Sequence, residues 1–329
     1  MTAPLIEVTD LRVTFGPPGS RVLATRGVSL SLLPGRRLGI VGESGSGKST
    51  TALAIIGLLP PEAQIEAGSV LYQGRPLLGL TEAQLRPMRG REIAMVFQDA
   101  PTALNPLIRV GDQISDVIRA HERVSKTEAR ERAVELLRAM GLADPVRNAR
   151  GYPHEYSGGM AQRALIAMAL ACRPRVLIAD EPTTGLDPIV QAQVLDKIVE
   201  QVADHGMSLI LISHDIDVIR RVCTDVIVMY AGEVMERGAL DRVLREPEHP
   251  YTRALLDAEE PREDGRFSFI PGQVPALTEA FPGCAFSDRC PLRAELGDPA
   301  VCVERMPPLT VSPTGSAVAC HFTLPSGHD

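Results

Sequence analysis

The sequence predicts an α/β fold: a mixed, largely parallel sheet core, a helical subdomain inserted in it, and a small Cys-rich C-terminal domain. Three observations carry that prediction. Continuous apolar runs of strand length alternate with helical patterns up to about residue 240, as expected for strands buried on both faces. Between Gln98 and Tyr156 the character turns helical. After about Leu244 periodic segments give way to proline, cysteine and loops.

In chain order, Leu11–Phe15 reads as a strand. Leu38–Val41 is a second, leading into a glycine-rich turn with Thr50–Leu58 readable as a helix after it. Ile93–Phe97, Val176–Ala179, Leu209–Ile212 and Val226–Tyr230 are further apolar strands. Ser125-Lys126-Thr127-Glu128 is a capping-box pattern. It opens an amphipathic helix with Ala133, Leu136, Leu137 and Met140 facing one way and Gly141 placed to stop it. The expected limits are an α/β domain over 1–244, its helical subdomain at about 99–156, and a C-terminal domain over 245–329.

The chain has 329 residues, 44% of them hydrophobic, enough for a full core. Its net charge of −7 argues against a nucleic-acid binder, though mild acidity is common among soluble proteins. No apolar run approaches the roughly 20 residues of a membrane span. The first ten residues lack the basic and apolar regions of a signal peptide. The expectation is a chain in the cytosol or on the cytosolic face of a membrane, whose six cysteines need a reading other than secretory disulfides.

Gly42-Glu43-Ser44-Gly45-Ser46-Gly47-Lys48-Ser49 matches G-x-x-x-x-G-K-[ST] and directly follows the strand Leu38–Val41. Glycines at 42, 45 and 47 let backbone N–H groups curl around phosphate oxygens, and the helix entered through Ser49 and Thr50 adds its dipole. Lys48 is then placed for the β- and γ-phosphates and the Ser49 hydroxyl for Mg²⁺. An incidental glycine turn would not need a strand before it and a helix after it. The strand Val176–Ala179 ends in Asp180 and Glu181. Asp180 is expected to hold Mg²⁺ through water and Glu181 to polarise the water that attacks the γ-phosphate. Without the phosphate loop, two acids at a strand end would merely solvate a turn.

Tyr156-Ser157-Gly158-Gly159-Met160-Ala161-Gln162-Arg163, upstream of the Asp180 strand, resembles the signature loop of ABC ATPases. Physically it is a second anion site, with Ser157, Gly158 and Gly159 capping a helix that starts near Met160. The resemblance extends to Gln98 as the Q-loop glutamine that senses the metal, and to Gly185-Leu186-Asp187 as the D-loop. It extends also to His214, after strand Leu209–Ile212, as the switch histidine. Phe15 takes the place of the aromatic that stacks on adenine, although it could equally be core. The family implies ATP and Mg²⁺ as cofactors, Ser49 and Gln98 as metal ligands, Glu181, His214 and Gln98 as catalytic residues, and a dimer. The phosphate loop of one chain then faces the signature loop of the other.

Gln98–Pro106, Tyr152–Met160 and His249-Pro250-Tyr251-Thr252 resemble the corresponding stretches of oligopeptide and dipeptide permease ATPases, most closely the D-type subunit. That resemblance implies a peptide importer with a homologous F-type ATPase partner, two membrane subunits, an extracytoplasmic binding protein and a place on the cytoplasmic face of the membrane. Residues near Gln98–Val110 would receive the membrane subunit's coupling helix. Nickel or glutathione import is the alternative substrate reading. A soluble ABC ATPase of DNA repair or translation is the alternative class. Repair types carry a long coiled coil between the phosphate and signature loops, and translation types carry two cassettes; this chain has neither.

Cys172 and Cys223 read as small core residues. Cys284, Cys290, Cys302 and Cys320 follow the spacing C-x5-C-x11-C-x17-C, with Pro282-Gly283 and Pro291 making turns around them. Four soft ligands suit an iron–sulfur cluster or zinc, and four free thiols are the third reading. The spacing lacks the paired knuckles of a zinc ribbon. The resemblance to permease ATPases implies a 4Fe–4S cluster.

Overall fold

The computed structural model describes residues 3–17, 20–98, 103–259, 268–275, 277 and 281–324. The chain divides into two compact units, one formed by Leu33–Arg37 and Gly79–Leu211, the other by Ala3–Leu32, Leu38–Leu78 and Ile212–Asp329.

The second unit opens with β1 (Ile6–Phe15) and β2 (Val22–Leu32). β1 pairs antiparallel with β2 and with β4 (Ala63–Tyr72), and β5 (Arg75–Pro76) completes a four-stranded sheet in the order β2-β1-β4-β5. Ile6, Val8, Leu11 and Val13 are buried along β1, the period-2 face expected of a strand with one side in a core. β3 (Arg37–Val41) pairs parallel with β9 (Asp225–Tyr230), and β10 (Glu233–Ala239) returns antiparallel beside β9. β11 (Thr310–Val311) and β12 (Ala317–Val318) extend that edge, in the order β11-β12-β10-β9-β3. Parallel and antiparallel neighbours in one sheet make it mixed, as expected. α1 (Lys48–Ile55) follows β3. It starts two residues before the predicted helix, because Gly47 adopts the left-handed conformation that turns the chain into it. It ends at Ile55, before the expected Leu58, with Gly57 at φ +64° past its cap.

In the first unit the strands run in the order β8-β7-β6: β6 (Ile93–Val96) pairs parallel with β7 (Val176–Asp180), and β8 (Ser208–Ser213) lies beside β7. All five β7 residues are buried, which explains a strand read as one unbroken apolar run. The helical stretch comprises α2 (Val110–His121), α3 (Lys126–Ala139), α4 (Pro145–Arg150) and α5 (Gly158–Ala169). The Ser125 hydroxyl accepts from Glu128 N–H at 3.1 Å and caps α3, and Gly141, with φ +74°, follows its end. Of its expected apolar face Ala133, Leu137 and Met140 are buried, whereas Leu136 is only half-buried. α6 (Pro188–Asp204) then leads to β8. The second unit continues with α7 (Ile216–Val222), α8 (Leu240–Arg245) and α9 (Pro250–Glu259).

Candidate active site

In the second unit, the loop after β3 is shaped by contacts only glycine permits. A Cβ on Gly42 would lie 2.0 Å from the Met229 carbonyl oxygen, and one on Gly47 2.4 Å from that of Ala24. Gly45 has φ +78° with open space around it. The chain therefore runs against β9 and β2 and leaves Ser44, Gly45 and Ser49 exposed. The Lys48 ammonium donates to the Gly42 and Glu43 carbonyls at 2.8 and 2.9 Å and stays largely buried. Thr50 is half-buried on the first turn of α1. Phe15 is half-buried at the last position of β1, opposite Val22 and Ala63. His214 is exposed just past β8, and Asp215 beside it caps α7 by accepting from Asp217 and Val218 N–H groups at 2.8 and 3.2 Å.

The first unit holds the acids. Asp180, the last residue of β7, is buried, and Glu181 follows with φ +45°. That left-handed backbone costs a non-glycine residue about 1 kcal/mol. It comes with two hydrogen bonds to one carboxylate oxygen: the Gln98 side-chain amide donates to Glu181 Oε2 at 3.1 Å and the Thr184 hydroxyl at 2.8 Å. The parallel register, Val96 opposite Ala179, brings the two strand ends to one edge. Gln98 itself is exposed. The stretch 99–102 that resembles the permease ATPases lies outside the described residues, while Leu107 beyond it is 84% exposed.

In the same unit Ser157 caps α5, its hydroxyl accepting from Met160 N–H at 3.3 Å, so the helix begins at Gly158 and not at Met160 as expected. A Cβ on Gly159 would lie 2.4 Å from Val190 Cγ1, and one on Gly158 3.6 Å from Leu186. Asp187 caps α6 through the Ile189 and Val190 N–H groups, both at 3.1 Å. Gly159 thus packs directly on the first turn of the helix that Asp187 starts.

The four tail cysteines lie in the second unit. Among the described residues no group of three or more His, Cys, Asp or Glu is placed to hold a metal ion. The Cys290 and Cys320 thiols are hydrogen-bonded to the main chain. Cys320 Sγ donates to the Phe322 carbonyl at 2.9 Å and accepts from Phe322 N–H at 3.4 Å, and Cys290 Sγ accepts from Arg293 N–H at 3.4 Å. Burial pushes Cys284 up to about 12 and Cys320 to about 11, and raises Cys290 and Cys302 as well. All four nonetheless lie in one region. Cys284 interacts electrostatically with Cys290 and Cys320, and Cys302 with both of the latter.

Sequence reasoning missed the brace around Glu43. Its N–H donates to the Tyr251 hydroxyl at 3.0 Å, and its carboxylate accepts from Arg289 at 3.0 Å. It also missed Thr184. A hydroxyl three residues past Glu181 was the only available signal for Thr184, and nothing in the sequence paired residue 289 with residue 43.

Comparison with known proteins agrees with the layout. The family described as ABC transporter matches residues 25–184, and that described as oligopeptide/dipeptide transporter, C-terminal region, matches 235–295. A probable peptide ABC transporter ATP-binding protein of Sinorhizobium fredii is 48% identical over 96% of this chain and 94% of its own length. The oligopeptide transport ATP-binding protein OppD of Escherichia coli is 45% identical over 96% and 92%. Among solved structures, the dimeric post-hydrolysis ATP-binding cassette MJ0796 with ADP and Pi has a TM-score of 0.65. It is 29% identical and covers 71% of this chain and 98% of its own. Part of a Clostridium perfringens transporter complex, cbiO1, has a TM-score of 0.62 at 28% identity, covering 73% and 90%.

Proposed function

The chain belongs to the ABC transporter ATPases, in their oligopeptide/dipeptide branch, and from that premise we propose how its residues divide the work. It is the ATP-hydrolysing, energy-coupling subunit of a peptide importer. The observation that carries the assignment of roles is Glu181, held by Gln98 and Thr184 one residue beyond the buried Asp180.

The N–H groups from Gly42 through Thr50 cradle the phosphates, and Lys48 neutralises the β- and γ-oxygens. Ser49, Asp180 and Gln98 offer a hydroxyl, a carboxylate and an amide oxygen, all hard donors that suit Mg²⁺. With its amide NH₂ engaged by Glu181, Gln98 would hold the ion through its oxygen. Mg²⁺ held there would supply positive charge against the phosphate oxygens. Glu181 orients the attacking water and takes its proton, while His214 contacts the γ-phosphate and Phe15 stacks on adenine. Ser157, Gly158 and Gly159 bind the γ-phosphate held by the opposing ATPase, and Asp187 reaches across that interface. The signature and phosphate loops of one chain serve different nucleotides, so the working unit is a pair.

We assign the partner as a homologous F-type ATPase beneath two membrane permease subunits, fed by an extracytoplasmic binding protein, with no nucleic acid involved. Among the described residues no helix is long and apolar enough to cross a membrane. We place the chain as a peripheral subunit on the cytoplasmic face. Residues 1–244, with the helical insert at about 99–156, form the ATPase domain and 245–329 a Cys-rich C-terminal domain. Co-expression with candidate peptide-permease membrane subunits tests this: the chain should co-purify with both, and failure to capture either overturns the importer reading. Nickel or glutathione as cargo is distinguished by binding to the partner binding protein.

A second assignment concerns Cys284, Cys290, Cys302 and Cys320 as ligands of a 4Fe–4S cluster, with zinc as the alternative. Four thiols in one region, with main-chain N–H groups donating to Cys290 and Cys320, form a soft donor set of the right chemistry. Ligation would displace the thiol protons that burial retains. The centre would act as a structural cross-link for the tail.

A further inference from the structure

Arg289 immediately precedes Cys290 in the tail, yet its guanidinium ends on the phosphate loop. Nη1 donates to Glu43 Oε2 at 3.0 Å and to the Tyr230 hydroxyl at 2.9 Å; Nε donates to the Pro271 carbonyl at 2.8 Å and Nη2 to that of Ile270 at 3.0 Å. The planar fork is therefore fixed from several sides, a geometry lysine cannot reproduce. The Arg289 side chain is 7% exposed and that of Glu43 25%. Around them Tyr230, Tyr251 and Phe286 are fully buried, with ring centroids 4.6 to 5.4 Å apart. The turn from Cys284 to Cys290 places Phe286 in that cluster, since Arg289 N–H donates to the Phe286 carbonyl and Ser287 N–H to that of Cys284.

Glu43 is the only acid between Gly42 and Ser49, and its own carbonyl accepts from Lys48. A carboxylate in a loop that binds a polyanion is unfavourable unless neutralised. In a partly buried setting a bare charge acts over several ångströms with little screening. We propose that Arg289 is a positioning residue of the phosphate loop: it neutralises and anchors Glu43, so that the cysteine-bearing tail sets the affinity for ATP. The inference rests on ATP binding at Gly42–Ser49 and on no property of a metal in the tail.

The test is equilibrium binding of fluorescent trinitrophenyl-ATP to the full-length chain, with steady-state kinetics alongside. Arg289→Met keeps the buried volume and bares the carboxylate, so Kd should rise about tenfold or more, and the loss should fall on Kd and KM rather than on kcat. Adding Glu43→Ala to Arg289→Met should recover most of the affinity, because the repelling charge goes with it. Loss of support alone would not be rescued by a second deletion. Unchanged affinity in Arg289→Met, or no recovery in the double variant, overturns the proposal. Where the methionine variant does not fold, Arg289→Lys decides. It keeps the charge that neutralises Glu43 but not the fixed fork, so Kd should rise by less than about tenfold; a larger loss, or none, overturns the proposal. A parent protein that binds no ATP would instead refute the nucleotide site itself.

Discussion

The Gln98 amide donates to the Glu181 carboxylate over 3.1 Å, tying the segment after β6 to the residue after β7. The loop that leads toward the proposed coupling region is thereby bonded to the proposed water-orienting acid.

Glu181→Gln keeps an oxygen that accepts from Gln98 and Thr184 but cannot take a proton. The variant should bind ATP with near-parental affinity and hydrolyse it at least about a hundredfold more slowly. It should accumulate as an ATP-bound dimer with its partner, measured by phosphate release and size exclusion. Near-parental turnover would show that another group positions the water.

Glycines of the phosphate loop should differ in tolerance. Gly45→Ala meets no atom within 4 Å and carries only the strain of φ +78°, about 1 to 2 kcal/mol. Gly42→Ala drives a Cβ to within 2.0 Å of the Met229 carbonyl oxygen, which is backbone and cannot rotate away. Urea melts and ATP binding should show Gly45→Ala mildly weakened and Gly42→Ala unable to bind. Equal behaviour would mean that the loop rebuilds.

Gly159→Ala should destabilise the chain by about 1 to 3 kcal/mol through overpacking on Val190 Cγ1, 2.4 Å away. Val190→Ala in the same chain should restore most of that, as read by urea midpoints. No rescue would place the damage elsewhere.

His249 is buried, with Nδ1 accepting from Tyr251 N–H, and burial lowers its pKa from 6.5 to about 3. The native state thus binds fewer protons than the unfolded chain between those values. Its contribution is fully present above about pH 6.5 and falls by about 1.4 kcal/mol per unit as pH drops toward 3. Urea midpoints at pH 7.5 and 5.5 should differ more in the parent than in His249→Asn, whose side-chain oxygen can accept the same N–H. Identical pH slopes would refute the account.

Protein purified anaerobically should be brown and contain iron and labile sulfide, and Cys320→Ser should lose both. Colourless protein with one zinc per chain would replace the cluster with zinc, and metal-free protein would leave four thiols.

The sequence by itself determined the continuously apolar strands β3, β6, β7, β8 and β9, but not β2, β4 or β10. A buried parallel strand must be continuously apolar, so Val176–Ala179 and the acids after it were legible. The phosphate loop was legible because its glycines and Lys48 act through local backbone geometry. Helix caps such as Ser125 were equally local. What only the tertiary structure decided is pairing across long separations. Gln98 with Glu181 follows from strand register, and Gly159 against Val190 from helix packing. Arg289 with Glu43 spans 246 positions, and no periodicity records a partner so far away. The thiols show the same limit: their spacing offers four soft ligands, whereas the main-chain hydrogen bonds of Cys290 and Cys320 are set by the fold.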